Sequence, residues 1–223
     1  MTAPAASSLY TYRFVRAHLP PDARHVLEIG CGAGALAAML QADGISVRAI
    51  DSDAEAVEQA RRAGVAAEVA QWPSDLGETF DAVLFTRSLH HIHDLSGAIA
   101  EARRALNPGG RVVVEDFRAE GGSACSNAWF AGLAQELGLS GALIDPVELD
   151  LAQDHELHSS DAIAGALCTF ATVERADAAY YFRYLEPHLR DPRAATELLE
   201  QELALIGDGA IDALGQRFVA FDA

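Results

Sequence analysis

Short, nearly unbroken apolar runs return about every twenty residues through the first half of the chain, at 26–29, 47–50, 67–70, 82–85 and 112–114. Each has the length of a strand hidden on both faces. Between them lie stretches rich in Ala, Leu, Glu and Arg, at 33–42, 54–63 and 95–106, with apolar residues at three- and four-residue spacing. That spacing is the mark of amphipathic helices. Such alternation predicts an α/β, doubly wound, mostly parallel sheet with helices on both faces. The breakers agree with these boundaries: Gly44 and Gly64 follow helices, and Asn107-Pro108-Gly109-Gly110 precedes the fifth strand.

Ahead of the sheet, residues 8–19 fit a short amphipathic helix ending at Pro20-Pro21. Beyond Glu115 the rhythm breaks. Residues 121–160 are punctuated by Gly and Ser and read as an inserted cover, and two β-like runs, 170–184 and 216–221, flank a helix at 193–205. The last two are expected to pair antiparallel at the sheet edge. Half of the 223 residues are apolar, enough for one sizeable core. Sixteen Lys and Arg against 33 Asp and Glu give a formal charge of −17, which repels a phosphate backbone, so nucleic acid is a disfavoured partner. There is no apolar run of membrane-spanning length and no charged start followed by an apolar segment; a cytoplasmic protein with no membrane partner is expected. Cys31, Cys125 and Cys168 are odd in number and lack ligand spacing, which argues against a disulfide frame and a structural metal.

The segment Val26-Leu27-Glu28-Ile29-Gly30-Cys31-Gly32-Ala33-Gly34 runs from a strand through a glycine-rich turn into a helix. Glycines allow a tight turn and close approach of backbone to a ligand. Taken alone, the turn also fits a relaxed dinucleotide fingerprint, and an NAD(P)-dependent oxidoreductase stays open. Asp51, 21 residues after Gly30, stands where a carboxylate accepts both hydroxyls of a ribose, so the ligand contains a nucleoside. Glu28 would face a diphosphate as anion against anion, and no Lys or Arg lies between Val26 and Val47 to offset it. A ligand carrying a sulfonium and an ammonium suits that carboxylate better.

Four segments in order resemble the class I S-adenosylmethionine-dependent methyltransferases, in their small-molecule branch: Glu28 to Gly34; Ala49-Ile50-Asp51-Ser52; Phe80-Asp81-Ala82-Val83-Leu84-Phe85 continuing to Ser88-Leu89-His90-His91; and Leu106-Asn107-Pro108-Gly109-Gly110-Arg111-Val112. The likeness covers roughly 26–117. It implies a Rossmann-like, seven-stranded sheet and S-adenosyl-L-methionine as cofactor, with Glu28, Gly30, Cys31, Gly32 and Gly34 at the methionine part and Asp51 and Ser52 at the ribose. Gln71 and Trp72 fall in the loop that meets the adenine, although Trp72 fits a core aromatic equally well, and Thr86 and Arg87 match positions at the methionine end. Arg87 can also pair with the cofactor carboxylate. The chain then divides as one domain: an N-terminal helix (1–21), a cofactor-binding core (22–120), a substrate cover (121–168) and C-terminal strands and helix (169–223).

Methyl transfer asks the protein for orientation, dryness and, for a protonated nucleophile, a base. His91 follows the fourth strand near where the methyl should point, with structural hydrogen bonding as the competing role. In the cover, His155 and His158 can share a helical face beside Asp154 and Glu156 and are candidates for base or substrate clamp. Tyr12, Asp116, Trp129 and His155 are candidate substrate contacts; no metal site is expected. The loop after the fourth strand lacks the Asn/Asp-Pro-Pro-aromatic signature of many N-methyltransferases, which tilts the acceptor toward oxygen or carbon. A non-catalytic cofactor-binding regulator stays open, and the oligomeric state is not legible.

Overall fold

The computed structural model describes residues 4–139 and 158–222. The apolar runs form β1 (His25–Ile29), β2 (Ser46–Asp51), β3 (Ala67–Val69), β4 (Phe80–Thr86) and β5 (Leu106–Phe117), followed by β6 (Thr172–Ala178) and β7 (Gly215–Phe221). They make one seven-stranded sheet in the order β3-β2-β1-β4-β5-β7-β6. The first five strands pair in parallel, while β7 runs antiparallel to both β5 and β6. This is the doubly wound sheet with an antiparallel C-terminal edge that the pattern predicts.

The helices are α1 (Ala6–His18), α2 (Ala35–Ala42), α3 (Ala54–Arg62), α4 (Leu95–Arg104), α5 (Ala124–Glu136), α6 (Ser160–Leu167), α7 (Tyr181–Leu185) and α8 (Pro192–Gly207). One sheet face packs Phe14 and Val15 of α1, Leu36 and Leu40 of α2, and Val57 of α3 against Val26, Val47 and Leu84. The other face packs Ile99 of α4 and Ile163 and Leu167 of α6 against Leu27, Val83 and Phe218. Both faces are therefore covered, which is why the central strands carry no polar alternation. Among the described residues no helix is long and apolar enough to cross a membrane.

Two details depart from the sequence pattern. Asn107 to Gly110 does not end the connection before the fifth strand but bulges within β5: Phe80 pairs with Leu106, Ala82 already with Arg111. Asn107 Nδ2 donates to Asp81 Oδ1 (2.8 Å), whose other oxygen accepts from the amides of Arg24 and His25 (2.8 and 2.9 Å), tying the bulge to the entry of β1. The second departure is the run 170–184, whose aromatic residues suggest strand throughout. It leaves the sheet after Ala178 because the buried Glu202 carboxylate accepts the amides of Tyr180, Tyr181 and Phe182 (2.6, 3.0 and 2.9 Å). Those amides are the ones a helix N-terminus leaves unpaired, so a side chain on α8 turns an apparent strand into α7.

Removing that carboxylate leaves three buried donors without acceptors. Glu202→Ala is expected to lower stability by roughly 2–4 kcal/mol, read from the midpoint of urea unfolding, and a change below 0.5 kcal/mol would show the cap to be dispensable.

Candidate active site

β1 lies between β2 and β4, so the crossovers leaving β1 and β4 part to opposite sides of the sheet and open a crevice at the strand ends. A cavity of about 1010 Å³ occupies this place. Its floor is the turn after β1. Gly30 has φ +73°, and a Cβ there would lie 2.3 Å from Ser88 Cβ. That missing atom lets Ser88 reach across and donate its hydroxyl to the Ile29 carbonyl (2.6 Å), while Gly30 and Cys31 both donate to the Ile50 carbonyl (2.8 and 3.0 Å). Gly32 has φ +52° and open space where a Cβ would stand.

Two carboxylates face this turn. Asp51 accepts the Gly32 amide on Oδ2 (2.8 Å) and the Asp53 amide on Oδ1 (2.9 Å), so its head is fixed at the end of β2. Glu28 is buried, and its Oε2 has no hydrogen-bond partner among the described residues. Burial raises the Glu28 carboxyl to about 8 and the Asp51 charge adds to that, against the pull of Arg87, the Ala37 amide and the Thr86 hydroxyl. A buried acid with an orphan oxygen on a cavity wall is a receptor for a cation. Ser52, Gln71, Trp72, Thr86, Arg87 and His91 also line the cavity, as does Cys31. Arg87 holds φ +61°, a conformation that costs a non-glycine residue, with its amide on the Glu115 carbonyl (2.7 Å).

Other expected site residues stand elsewhere. Gly34, at φ +78°, does not line the cavity; a Cβ there would sit 2.9 Å from Ala60 Cβ, so this glycine serves the packing of α2 on α3. Trp72 reaches the cavity but is a core residue, its Nε1 on the Ala98 carbonyl (3.1 Å) and its ring edge-on to Phe85. Tyr12 is off the cavity: one residue past Thr11 is about 100° around a helix, and the phenol donates to Asp43 (2.6 Å) at the surface. Trp129 packs edge-on to Tyr181, away from the cavity. Strand alternation turns Asp116 away as well; it is buried, taking His90 Nδ1 (2.7 Å) and the Phe117 amide (2.9 Å) on Oδ1 and the His90 amide (3.2 Å) on Oδ2. His158 places Nε2 on the Ile92 carbonyl (2.7 Å), bracing the loop after β4 instead of facing the cavity. His155 lies outside the described residues.

Sequence reasoning missed Ser8 and Thr11, which α1 brings to the cavity wall. Their signal was polar residues three apart beside the apolar stripe of Phe14 and Val15. Thr11 is held by a buried cluster: its hydroxyl donates to Glu115 Oε1 (2.5 Å) and accepts from Arg183 Nη2 (3.0 Å). Arg183 Nη2 and Arg217 Nε in turn bind the two Glu115 oxygens (2.6 and 2.7 Å). Although burial opposes it, the two guanidinium groups hold the Glu115 carboxyl below its ordinary range.

The profile of a family described as "Methyltransferase domain" matches residues 27–114. A ubiquinone biosynthesis O-methyltransferase of Chelativorans sp. is 35% identical over 107 residues, 44% of this chain and 42% of that protein. A ribosomal RNA small subunit methyltransferase C of Chromohalobacter salexigens is 36% identical over 107 residues, 42% of this chain and 32% of that protein. The chain thus spans less than half the length of these two relatives. Among solved structures, a possible histamine N-methyltransferase of Thermotoga maritima shares the fold with a TM-score of 0.58 at 16% identity, covering 97% of this chain and 89% of that one.

The cavity makes one chemical prediction about its own walls. Burial first, then the charges of Glu28 and Asp51, push the Cys31 thiol up to about 12, whereas Cys125 and Cys168 are exposed. Iodoacetamide at pH 8 should modify two thiols of the native protein and leave Cys31 untouched, as read by peptide mass spectrometry. Rapid labelling of Cys31 would contradict an anionic, occluded turn.

Proposed function

We propose that this chain is an S-adenosylmethionine-dependent methyltransferase, as the methyltransferase domain matched across residues 27–114 suggests, and that it carries the methyl group to an oxygen or carbon atom of a small molecule. The observation that carries this reading is the buried Glu28 Oε2 at the wall of the cavity, which has no hydrogen-bond partner among the described residues. An ammonium and a sulfonium supply the missing counter-charge, and a diphosphate would oppose it. The open space at Gly32 and the fixed Asp51 head suit an adenosyl group in the same crevice. When bound, the cofactor supplies an electrophilic methyl group on a positively charged sulfur.

In this reading Glu28, Gly30, Cys31 and Gly32 hold the amino-acid end, with Thr86 and Arg87 beside it. Asp51 and Ser52 hold the ribose, and Gln71 and the rim of Trp72 border the base. His91 is the candidate acceptor-side base, and the Asp116 carboxylate fixes its neighbour His90, whose ring lies 4.0 Å from that of His91. The formal charge of −17 favours a small acceptor over a phosphate backbone.

Asp51→Ala should weaken S-adenosylhomocysteine binding by roughly 1.5–3 kcal/mol, the range for losing hydrogen bonds to a charged group. Unchanged affinity in calorimetry would remove Asp51 from the ribose.

Glu28 ties binding to pH. Its folded value, about 8, lies above the ordinary 4.5, so the free protein keeps this proton through neutrality and loses stability as pH rises across that window. A cation seated beside the carboxylate reverses the preference. Binding of S-adenosylmethionine at pH 7 should therefore release about one proton, seen as a difference in enthalpy between two buffers of unlike ionisation enthalpy. Glu28→Gln should abolish the difference; equal enthalpies for the unaltered protein would refute the coupling.

A further inference from the structure

Among the described residues, five side chains with a hydroxyl line the cavity: Ser8, Thr11, Ser52, Thr86 and Ser88. Three of them are already committed inside the protein. Thr11 donates to Glu115 and accepts from Arg183, Ser88 donates to the Ile29 carbonyl, and the Thr86 hydroxyl lies on Glu28. Ser52 stands beside Asp51 past the end of β2. Ser8 is left with a hydroxyl on the cavity wall that makes no hydrogen bond among the described residues. The glycine turn has spent donors too: the amides of Gly30 and Cys31 are on the Ile50 carbonyl, and that of Gly32 is on Asp51.

Where Ser8 stands follows from how α1 is docked. The helix lies along β5 in the opposite direction, with the His18 carbonyl accepting from Arg111 at one end and Thr11 meeting Glu115 at the other. Ser8 is one turn, about 4.5 Å, beyond Thr11, level with the last residues of β5, where the crevice opens. Glu115 also fixes what lies opposite. Its carbonyl accepts the Arg87 amide (2.7 Å), and it pairs with Thr86 across the sheet. Thr86 and Arg87 both act on Glu28. One residue of β5 thereby sets α1 against the end of the cavity at which Glu28 stands. The Ala6 and Ser7 amides are taken by Glu186 (2.6 and 3.2 Å), so α1 turns the Ser8 side chain to the cavity and keeps those amides from it.

We propose that Ser8 selects for the amino-acid part of the cofactor: its hydroxyl donates to the ligand's carboxylate, so that α1 closes on a ligand carrying that part and leaves a bare nucleoside unread. The inference rests on the cofactor reading above and adds how the amino-acid end is recognised. A carboxylate needs donors where an ammonium needs acceptors. Ser8, beside Arg87, supplies the first as Glu28 supplies the second, and a hydroxyl on a carboxylate makes a charge-assisted bond.

The test is calorimetric titration with S-adenosylhomocysteine and with 5′-methylthioadenosine, which keeps the nucleoside and the sulfur and lacks the amino-acid part. The unaltered protein is expected to bind S-adenosylhomocysteine more tightly, by roughly tenfold or more. Ser8→Ala should weaken S-adenosylhomocysteine by about tenfold, the loss of one hydrogen bond to a charged group, and leave 5′-methylthioadenosine unchanged. This variant should melt no lower than the unaltered protein, since alanine is the better helix former. Ser8→Thr, which keeps the hydroxyl, should bind both ligands as the unaltered protein does. The proposal is overturned if Ser8→Ala leaves S-adenosylhomocysteine affinity unchanged, which would take Ser8 off the cofactor, or if it weakens both ligands alike, which would make its role structural. It is overturned too if the unaltered protein does not distinguish the two ligands, or if Ser8→Thr loses as much affinity as Ser8→Ala. Failure of both ligands to bind the unaltered protein would sink the cofactor reading as well, whereas every other outcome leaves that reading standing.

Discussion

The closeness of two loops at the centre of the sheet governs the rest of the molecule. Gly30 and Ser88 stand where β1 and β4 end side by side, at a separation that no side chain on residue 30 would permit. Because Ser88 then closes on the Ile29 carbonyl, the turn after β1 and the turn after β4 form one wall. The crevice between the diverging crossovers becomes a cavity with a fixed floor. Glu28 is buried as a consequence: it points from β1 into space that the clasp has shielded from water, and desolvation is what raises it.

The roof depends on a second constraint of a different kind. α1 is docked by Thr11 on Glu115 and Arg183, and its free N-terminal amides at Ala6 and Ser7 are accepted by the Glu186 carboxylate. The partners lie more than a hundred residues away in the chain. A buried carboxylate with two arginines contributes little net stability against its own desolvation. It does specify geometry, because Thr11 on α1, Glu115 on β5, Arg183 on α7 and Arg217 on β7 have to meet at one point.

That difference explains what could be read in advance. The strands at 26–29 and 82–85 were legible because every residue is buried from both sides, so burial leaves a plain apolar imprint. The glycine turn and Asp51 were legible because their geometry is local, one turn and one strand end. The roof was not, since nothing near Ser8 or Thr11 announces Glu115, and the strand-like aromatic run ending in Tyr184 gives no hint that Glu202 bends it into α7. Asp116 misled for a related reason. It sits at the end of a central strand, where ligands bind, but the alternation of β5 gives Glu115 to the α1 side and sends Asp116 into the core against His90.

Glu28 poses the electrostatic problem of this cavity. The protein buries this acid with one oxygen unpaired among the described residues, and burial favours its neutral form. A cation seated beside that oxygen would add an interaction that the free protein lacks instead of displacing one it has.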